Sequence, residues 1–296
     1  MKTSSRKHPL LRLGTLAFAT MLGAGAAFAS IGLPELRALV QSDQAPPPGR
    51  SALVNADGTG PRTTTTTTTP PAPKPILPFN AKLTATNVPE PAGGVRSGGC
   101  SGSLIAPQWI VTAGHCFHDI NDVRVSGLPP YTTTVTVGRL KDSDVGGQTA
   151  QVVDVRQSAV NDLAIAKLSA AVTDIVPLKL ADSRPAVGQQ LQFAGWGSTS
   201  ATVIAPSDHL KRGRFAVSVI APTTLEAQPL VPRTVENSPC PQDSGAPFFI
   251  SDDDHTGVLV AIVSTGPACP QPGSEIVSRV DVVADWIREQ TGNTAR

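Results

Sequence analysis

Between residues 100 and 280, apolar and polar positions alternate in short runs broken by Gly, Pro, Asn and Asp. The runs are Ser103 to Ile105, Trp109 to Thr112, Thr132 to Val137, Gln151 to Val155, Leu163 to Leu168, Gln190 to Ala194, Phe215 to Ile220, Pro247 to Ile250, Val258 to Ser264 and Glu275 to Val280. Short runs of this kind, closed by turn residues, predict strands. Many such strands without intervening helices predict an all-β sandwich or barrel in place of a parallel α/β sheet. One stretch differs. From Val282 to Gln290, Val282, Val283, Trp286 and Ile287 recur at helical spacing, which predicts a single C-terminal helix packed on the β domain.

Upstream the alternation disappears. Lys2, Arg6, Lys7 and Arg12 precede a mostly apolar run from Leu13 to Phe28, and Ala27-Phe28-Ala29 stands before Ser30. A basic start, an apolar middle and a small-residue cleavage site read as a signal peptide over residues 1–29. The apolar part is short for a permanent membrane span, and no later segment reads as one. Residues 30–80 hold a short apolar-periodic piece, Ile31 to Val40, then Gln44 to Gly49, the tract Thr63 to Thr69 and the prolines up to Pro75. This composition predicts a largely disordered Pro/Thr-rich linker or pro-segment. The folded domain is expected over residues 81–296, its start lying between Ile76 and Lys82.

With 40% hydrophobic residues and a formal net charge of +1 over 296 residues, the chain can bury a core. Its charge balance gives no support to nucleic-acid binding. Export would place its four cysteines in an oxidising compartment, where an even count favours disulfides. Three connectivities are open; Cys100 and Cys116 lie in one half and Cys240 and Cys269 in the other, so pairing within each half is the economical reading. A zinc site would want Cys-x-x-Cys or paired-His spacing, which the chain lacks. Nothing calls for a metal or a cofactor.

Three polar residues carry the candidate chemistry. Ser244 sits in the stretch Cys240-Pro-Gln-Asp-Ser-Gly-Ala-Pro247, His115 immediately precedes Cys116, and Asp162 opens the alternating run that contains Leu163, Ile165 and Leu168. Each alone is ordinary: a turn serine, a surface histidine, a strand-start aspartate. In the order His, Asp, Ser they form one of the known chain orders of a nucleophilic triad.

The segments Thr112 to Cys116, Asn161 to Ala164 and Asp243 to Pro247 resemble the three signatures of the trypsin-like (chymotrypsin-fold) serine proteases. Gly195-Trp196-Gly197, Ser264 to Gly266, Ser278 to Val280 and Trp286-Ile287 extend the likeness over roughly residues 95 to 290. The resemblance implies two six-stranded antiparallel β-barrels with the site between them, and disulfides Cys100–Cys116 and Cys240–Cys269. It implies His115, Asp162 and Ser244 as catalytic residues, and the backbone N–H groups of Gln242 and Ser244 as the oxyanion hole. It implies Ser238, Ser264, Gly266 and Glu275 as the substrate pocket, and Asp243 as the organiser of the loop. It further implies a protein or peptide substrate, an activating protease or inhibitor as partner, and a secreted chain, extracellular or periplasmic.

Three departures from the family pattern matter. Gln242 and Ala246 replace glycines, and a Cβ resists the left-handed backbone by about 1 to 2 kcal/mol; Pro241 beside Gln242 either offsets or adds to that strain. The Ile/Val-Val-Gly-Gly start, whose freed ammonium meets the aspartate at the Asp243 position in the family, is missing. Asp243 is therefore expected to meet an internal group or an unusual N-terminus such as Ile76. Ser238 predicts an apolar preference at the pocket, whereas Glu275 turned into it predicts Arg or Lys. Asp252 to Asp254 with His255 read as a charged hairpin tip, and His118 and His209 as solvent-exposed residues without partners. The expected function is a secreted serine endopeptidase working through an acyl-enzyme; the alternative is a catalytically impaired binding protein on the same fold.

Overall fold

The computed structural model describes residues 76–292. Thirteen strands and one helix occupy them, and the signal-peptide reading and nearly all of the linker reading lie outside the described residues. The first barrel comprises β1 (Asn80–Pro89), β2 (Val95–Ala106), β3 (Trp109–Thr112), β4 (Thr132–Val137), β5 (Gln148–Gln157) and β6 (Ala164–Leu168). They close in the order β1-β2-β3-β6-β5-β4, every pair antiparallel. The alternation of β4 explains its part: Thr133, Val135 and Val137 turn inward while the intervening threonines face out, as the two-residue period of a strand requires.

A two-residue strand, β7 (Lys179–Leu180), then runs parallel to the later strand Val258–Thr265. The second barrel comprises β8 (Gln190–Gly195), β9 (Lys211–Ile220), β10 (Thr224–Pro229), β11 (Pro247–Ile250), β12 (Val258–Thr265) and β13 (Glu275–Arg279). Its ring runs β11-β8-β9-β10-β13-β12 and closes through β11 and β12. The rings of Phe193, Phe215 and Phe248 meet inside it with centroids 5.0 to 6.1 Å apart, within the range of favourable aromatic pairs. Phe249, on the opposite face of β11, packs edge-on against Phe79 at 5.2 Å and joins the core of the first barrel.

The predicted helix is α1 (Ala284–Thr291), with Ala284 and Ile287 buried. It ends at Gly292, whose φ of +68° lets its N–H reach back to the carbonyls of Arg288 and Glu289. Ten strands follow the alternation read from the sequence. The others are β1, β7 and β10, and β9 begins at Lys211, four residues ahead of the run that starts at Phe215.

Candidate active site

His115 lies on a short 3-10 turn, Gly114–Cys116, that leaves β3, and the Cys100–Cys116 disulfide ties this turn to β2. Asp162 ends the loop before β6, and Ser244 lies in the loop between β10 and β11. The fold brings the three into one line. His115 Nδ1 is 2.7 Å from Asp162 Oδ2, and His115 Nε2 is 2.8 Å from Ser244 Oγ. An ionised carboxylate only accepts, so Nδ1 carries the proton and Nε2 is left to accept from the hydroxyl. Gly114 is needed for close approach: a Cβ there would stand 2.9 Å from Asp162 Oδ1.

Asp162 is itself held on several sides. Its carboxylate accepts from the His115 N–H at 2.9 Å and from Ser264 Oγ at 2.7 Å, and its carbonyl accepts from Ser278 Oγ at 3.0 Å. Burial pushes the Asp162 carboxyl up, but the hydrogen bonds and charge of His115 and the Ser264 hydroxyl outweigh it and bring the pKa down to about 2. Ser264, expected in the substrate pocket, thus spends its hydroxyl on Asp162.

The backbone around Gln242 resolves the effect of Pro241. The Asp243 N–H donates to the Cys240 carbonyl at 2.9 Å, Pro241 follows Cys240, and Gln242 has φ +76°. A four-residue turn with Pro second and positive φ third is a type II β-turn, so Pro241 suits the conformation and Gln242 bears the strain. The Pro241 carbonyl accepts from the Ser198 N–H at 2.8 Å and the Gln242 carbonyl from Ser101 Oγ at 3.2 Å. Because the peptide is planar, the Gln242 N–H points away from the Ser198 side. Among the described residues, neither the Gln242 nor the Ser244 N–H has a protein acceptor.

Asp243 meets an internal group. Its fully buried carboxylate lies 2.5 Å from Lys211 Nζ, itself fully buried, and accepts from the N–H of Cys240 at 2.9 Å and of Gly197 at 2.7 Å. Gly195 and Gly197 are glycines for this reason: a Cβ on either would collide with the Asp243 carboxylate. No residue of the 76–79 segment contributes; the Leu77 N–H donates instead to the Asp254 carbonyl at 2.5 Å.

Glu275 does turn inward, with its carboxylate against Gly266, where a Cβ would strike it. It is only 2% exposed and is consumed by an ion pair with Arg233, which also donates to the Pro239 carbonyl at 3.1 Å. Burial pushes the Glu275 carboxyl up to about 7 against the pull of Arg233. Ser238 is buried and bonds Asn237 Oδ1 at 2.9 Å. The second disulfide, Cys240–Cys269, closes this side. An open cleft beside Ser244 is lined by Arg96, Cys100, His115, His118 and Tyr131.

Two histidine readings change as well. His118 is largely covered and bonds the Asp119 carbonyl at 2.7 Å. His209 lies between Asp208 at 2.6 Å and Glu236 at 2.9 Å, whose hydrogen bonds raise its pKa. The acidic run is a turn between β11 and β12 in which Asp253 accepts from the N–H groups of His255 and Thr256. Sequence reading passed over Lys211 and Arg233. A signal for Lys211 existed: Lys211, Gly213, Phe215 and Val217 continue one inward-facing alternation. Arg233 lies in a loop with no period to mark it.

Two closed six-stranded antiparallel barrels with one short C-terminal helix constitute the chymotrypsin fold. The comparisons with known proteins agree. The Trypsin family profile matches residues 70–287, and the chain belongs to the trypsin family. It is 26% identical over 209 residues to Transmembrane protease serine 5 of Homo sapiens, spanning 64% of this chain and only 46% of that longer protein. It is 26% identical over 218 residues to Brachyurin of Leptuca pugilator, across 66% of this chain and 88% of that one. Among solved structures, neuropsin, a serine protease expressed in the limbic system of mouse brain, superposes with a TM-score of 0.56 at 20% identity. That likeness covers 73% of this chain and 95% of neuropsin and concerns the fold. No described helix is long and apolar enough to cross a membrane.

Proposed function

We propose that the protein is an exported serine endopeptidase that cleaves peptide bonds through an acyl-enzyme. The carrying observation is the continuous line from Ser244 Oγ through His115 to Asp162, with steps of 2.8 and 2.7 Å. In this reading Ser244 Oγ attacks the carbonyl carbon while its proton passes to His115 Nε2. Asp162 keeps the ring in the required tautomer and stabilises its cationic form. The unused N–H groups of Gln242 and Ser244 receive the developing oxyanion, each such donor being worth roughly 3 to 4 kcal/mol. The amine departs with the proton from His115, and water then releases the acyl group by the same steps in reverse.

Because Arg233 neutralises Glu275 and the Glu275 side chain fills space beside Gly266, the residue before the scissile bond is small and uncharged in this reading. Export to an extracellular or periplasmic space rests on the sequence of residues 1–29 and on the two disulfides. The alternative, an impaired binding protein, drew on the strain at Gln242, and the type II turn weighs against it. A fluorophosphonate probe tests the proposal: wild type is expected to label, Ser244→Ala not. An unlabelled wild type, in any processed form, would sink it.

A further inference from the structure

Lysine is a poor candidate for an inward-facing strand position, since an isolated ammonium in a low-dielectric interior is strongly disfavoured unless paired and hydrogen-bonded. Lys211 occupies such a position at the start of β9, on the face it shares with Gly213, Phe215 and Val217. Every proton of its ammonium is used. Nζ pairs with Asp243 Oδ2 at 2.5 Å and donates to the carbonyls of Ser198 and Ser238 at 3.1 Å each. These three partners surround the turn that carries Gln242. Ser198 also holds the Pro241 carbonyl through its N–H, Ser238 lies two residues ahead of Cys240, and Asp243 closes the turn by donating to the Cys240 carbonyl. The lysine therefore ties together the segments that fix which way the Pro241–Gln242 peptide faces. Were that peptide to rotate, its carbonyl would take the place of the free Gln242 N–H.

We propose that Lys211 is a positioning residue that holds the Gln242 turn in its active form from within the chain, so that catalysis needs no newly cut N-terminus ahead of the barrels. This rests on the serine endopeptidase reading above. The charge balance at Asp243 is complete: one ammonium and two backbone N–H groups meet the carboxylate. A second ammonium would find no unpaired partner there. The same pair makes the second barrel responsible for the order of the loop that precedes Ser244.

The test uses the full exported chain, checked by mass for the absence of any cut between residues 30 and 100, and the same chain after limited proteolysis within residues 30–75. Fluorophosphonate labelling rates for the two are expected to agree within about twofold. Lys211→Met is expected to lose about 100-fold in kcat toward a short ester, the scale of a lost oxyanion donor, with KM changed less than about threefold. Rates are normalised to folded fraction by circular dichroism. If Lys211→Met folds poorly, Lys211→Met combined with Asp243→Asn removes both charges and leaves neither unpaired; it is expected to regain melting temperature without regaining kcat. An uncut chain that is inert while the cut chain labels overturns the inference and leaves the endopeptidase reading standing. Full kcat in Lys211→Met, or in the double variant, assigns Lys211 a structural role only and overturns the inference as well. Failure of both cut and uncut chains to label overturns the underlying reading.

Discussion

The two halves of the cleft are held by different means. On the side of the first barrel, His115 is fixed by a disulfide spanning 16 residues and a 3-10 turn, and Asp162 by hydrogen bonds from His115 and from the hydroxyls of Ser264 and Ser278. On the side of the second barrel, the Ser244 loop and the pocket depend on two buried ion pairs, Lys211–Asp243 and Arg233–Glu275, whose partners come from distant segments of the chain. A hydroxyl donor can be lost at the cost of about one hydrogen bond. A buried charge pair needs two remote residues to be right together, and the loss of either leaves the other stranded at a cost of about 3 to 5 kcal/mol. Changes on the first side should therefore harm chemistry more than the fold, and changes on the second should harm both.

The largest effect expected on the first side comes from Asp162→Asn. An amide in place of the carboxylate presents a donor to Nδ1 and favours the wrong tautomer of His115, and a loss of about 10⁴ in kcat is expected from single-turnover kinetics. Its stability should fall below that of wild type at neutral pH and converge with it in acid. The Asp162 pKa lies at about 2, below the ordinary 3.8, so its stabilising contribution is fully present above pH 4 and is lost as the pH falls toward 2. Melting curves of Asp162→Asn should lack that part of the acid limb. A loss at pH 7 as large as the roughly 3 to 5 kcal/mol expected of a broken buried ion pair would place Asp162 among the pieces that hold the fold and erase the contrast.

On the second side, Arg233→Ala leaves the Glu275 carboxylate buried without its partner. A loss of about 3 to 5 kcal/mol is expected in denaturant titration, together with a rise in cleavage after Arg and Lys relative to Ala as substrate guanidinium or ammonium takes over the vacant role. Replacing both residues by apolar ones, Arg233→Met with Glu275→Leu, should recover most of the stability and abolish the new preference. If Arg233→Ala melts like wild type, the pair is no support of the pocket.

This contrast also marks what could be read in the sequence. His115 stands beside Cys116 and Ser244 beside Asp243, so residues adjacent in the chain gave away the candidate reacting groups and the disulfide anchors. The partners of Asp243 and Glu275 could not be found that way, because a charge that is buried by tertiary packing looks in sequence like one that faces water. Lys211-Arg-Gly-Arg214 reads as a polar turn until the inward alternation from Phe215 is carried backwards. The missed strands have the same cause. β1 holds only Leu83 and Val88 as large buried apolar residues, and β10 only Leu225; their pairing with neighbours in the barrels, more than their own pattern, makes them strands.

The smallest expected effect sharpens the comparison at the turn itself. Gln242 bears φ +76° with a Cβ, and its side-chain Oε1 is buried without a protein partner. Gln242→Gly relieves both, so a gain of about 1 to 2 kcal/mol is expected from the relaxed backbone, somewhat reduced by the greater freedom of glycine in the unfolded chain. Since Ser198, Ser101 and Lys211 would still hold the surrounding carbonyls, kcat should stay within about twofold of wild type. A large rise in kcat would mean that the turn in the wild-type chain spends most of its time outside the type II form, and that the Lys211 network alone does not set its direction. A melting temperature unchanged or lower would mean that the Gln242 side chain contributes packing against Gly99 that outweighs the strain it imposes.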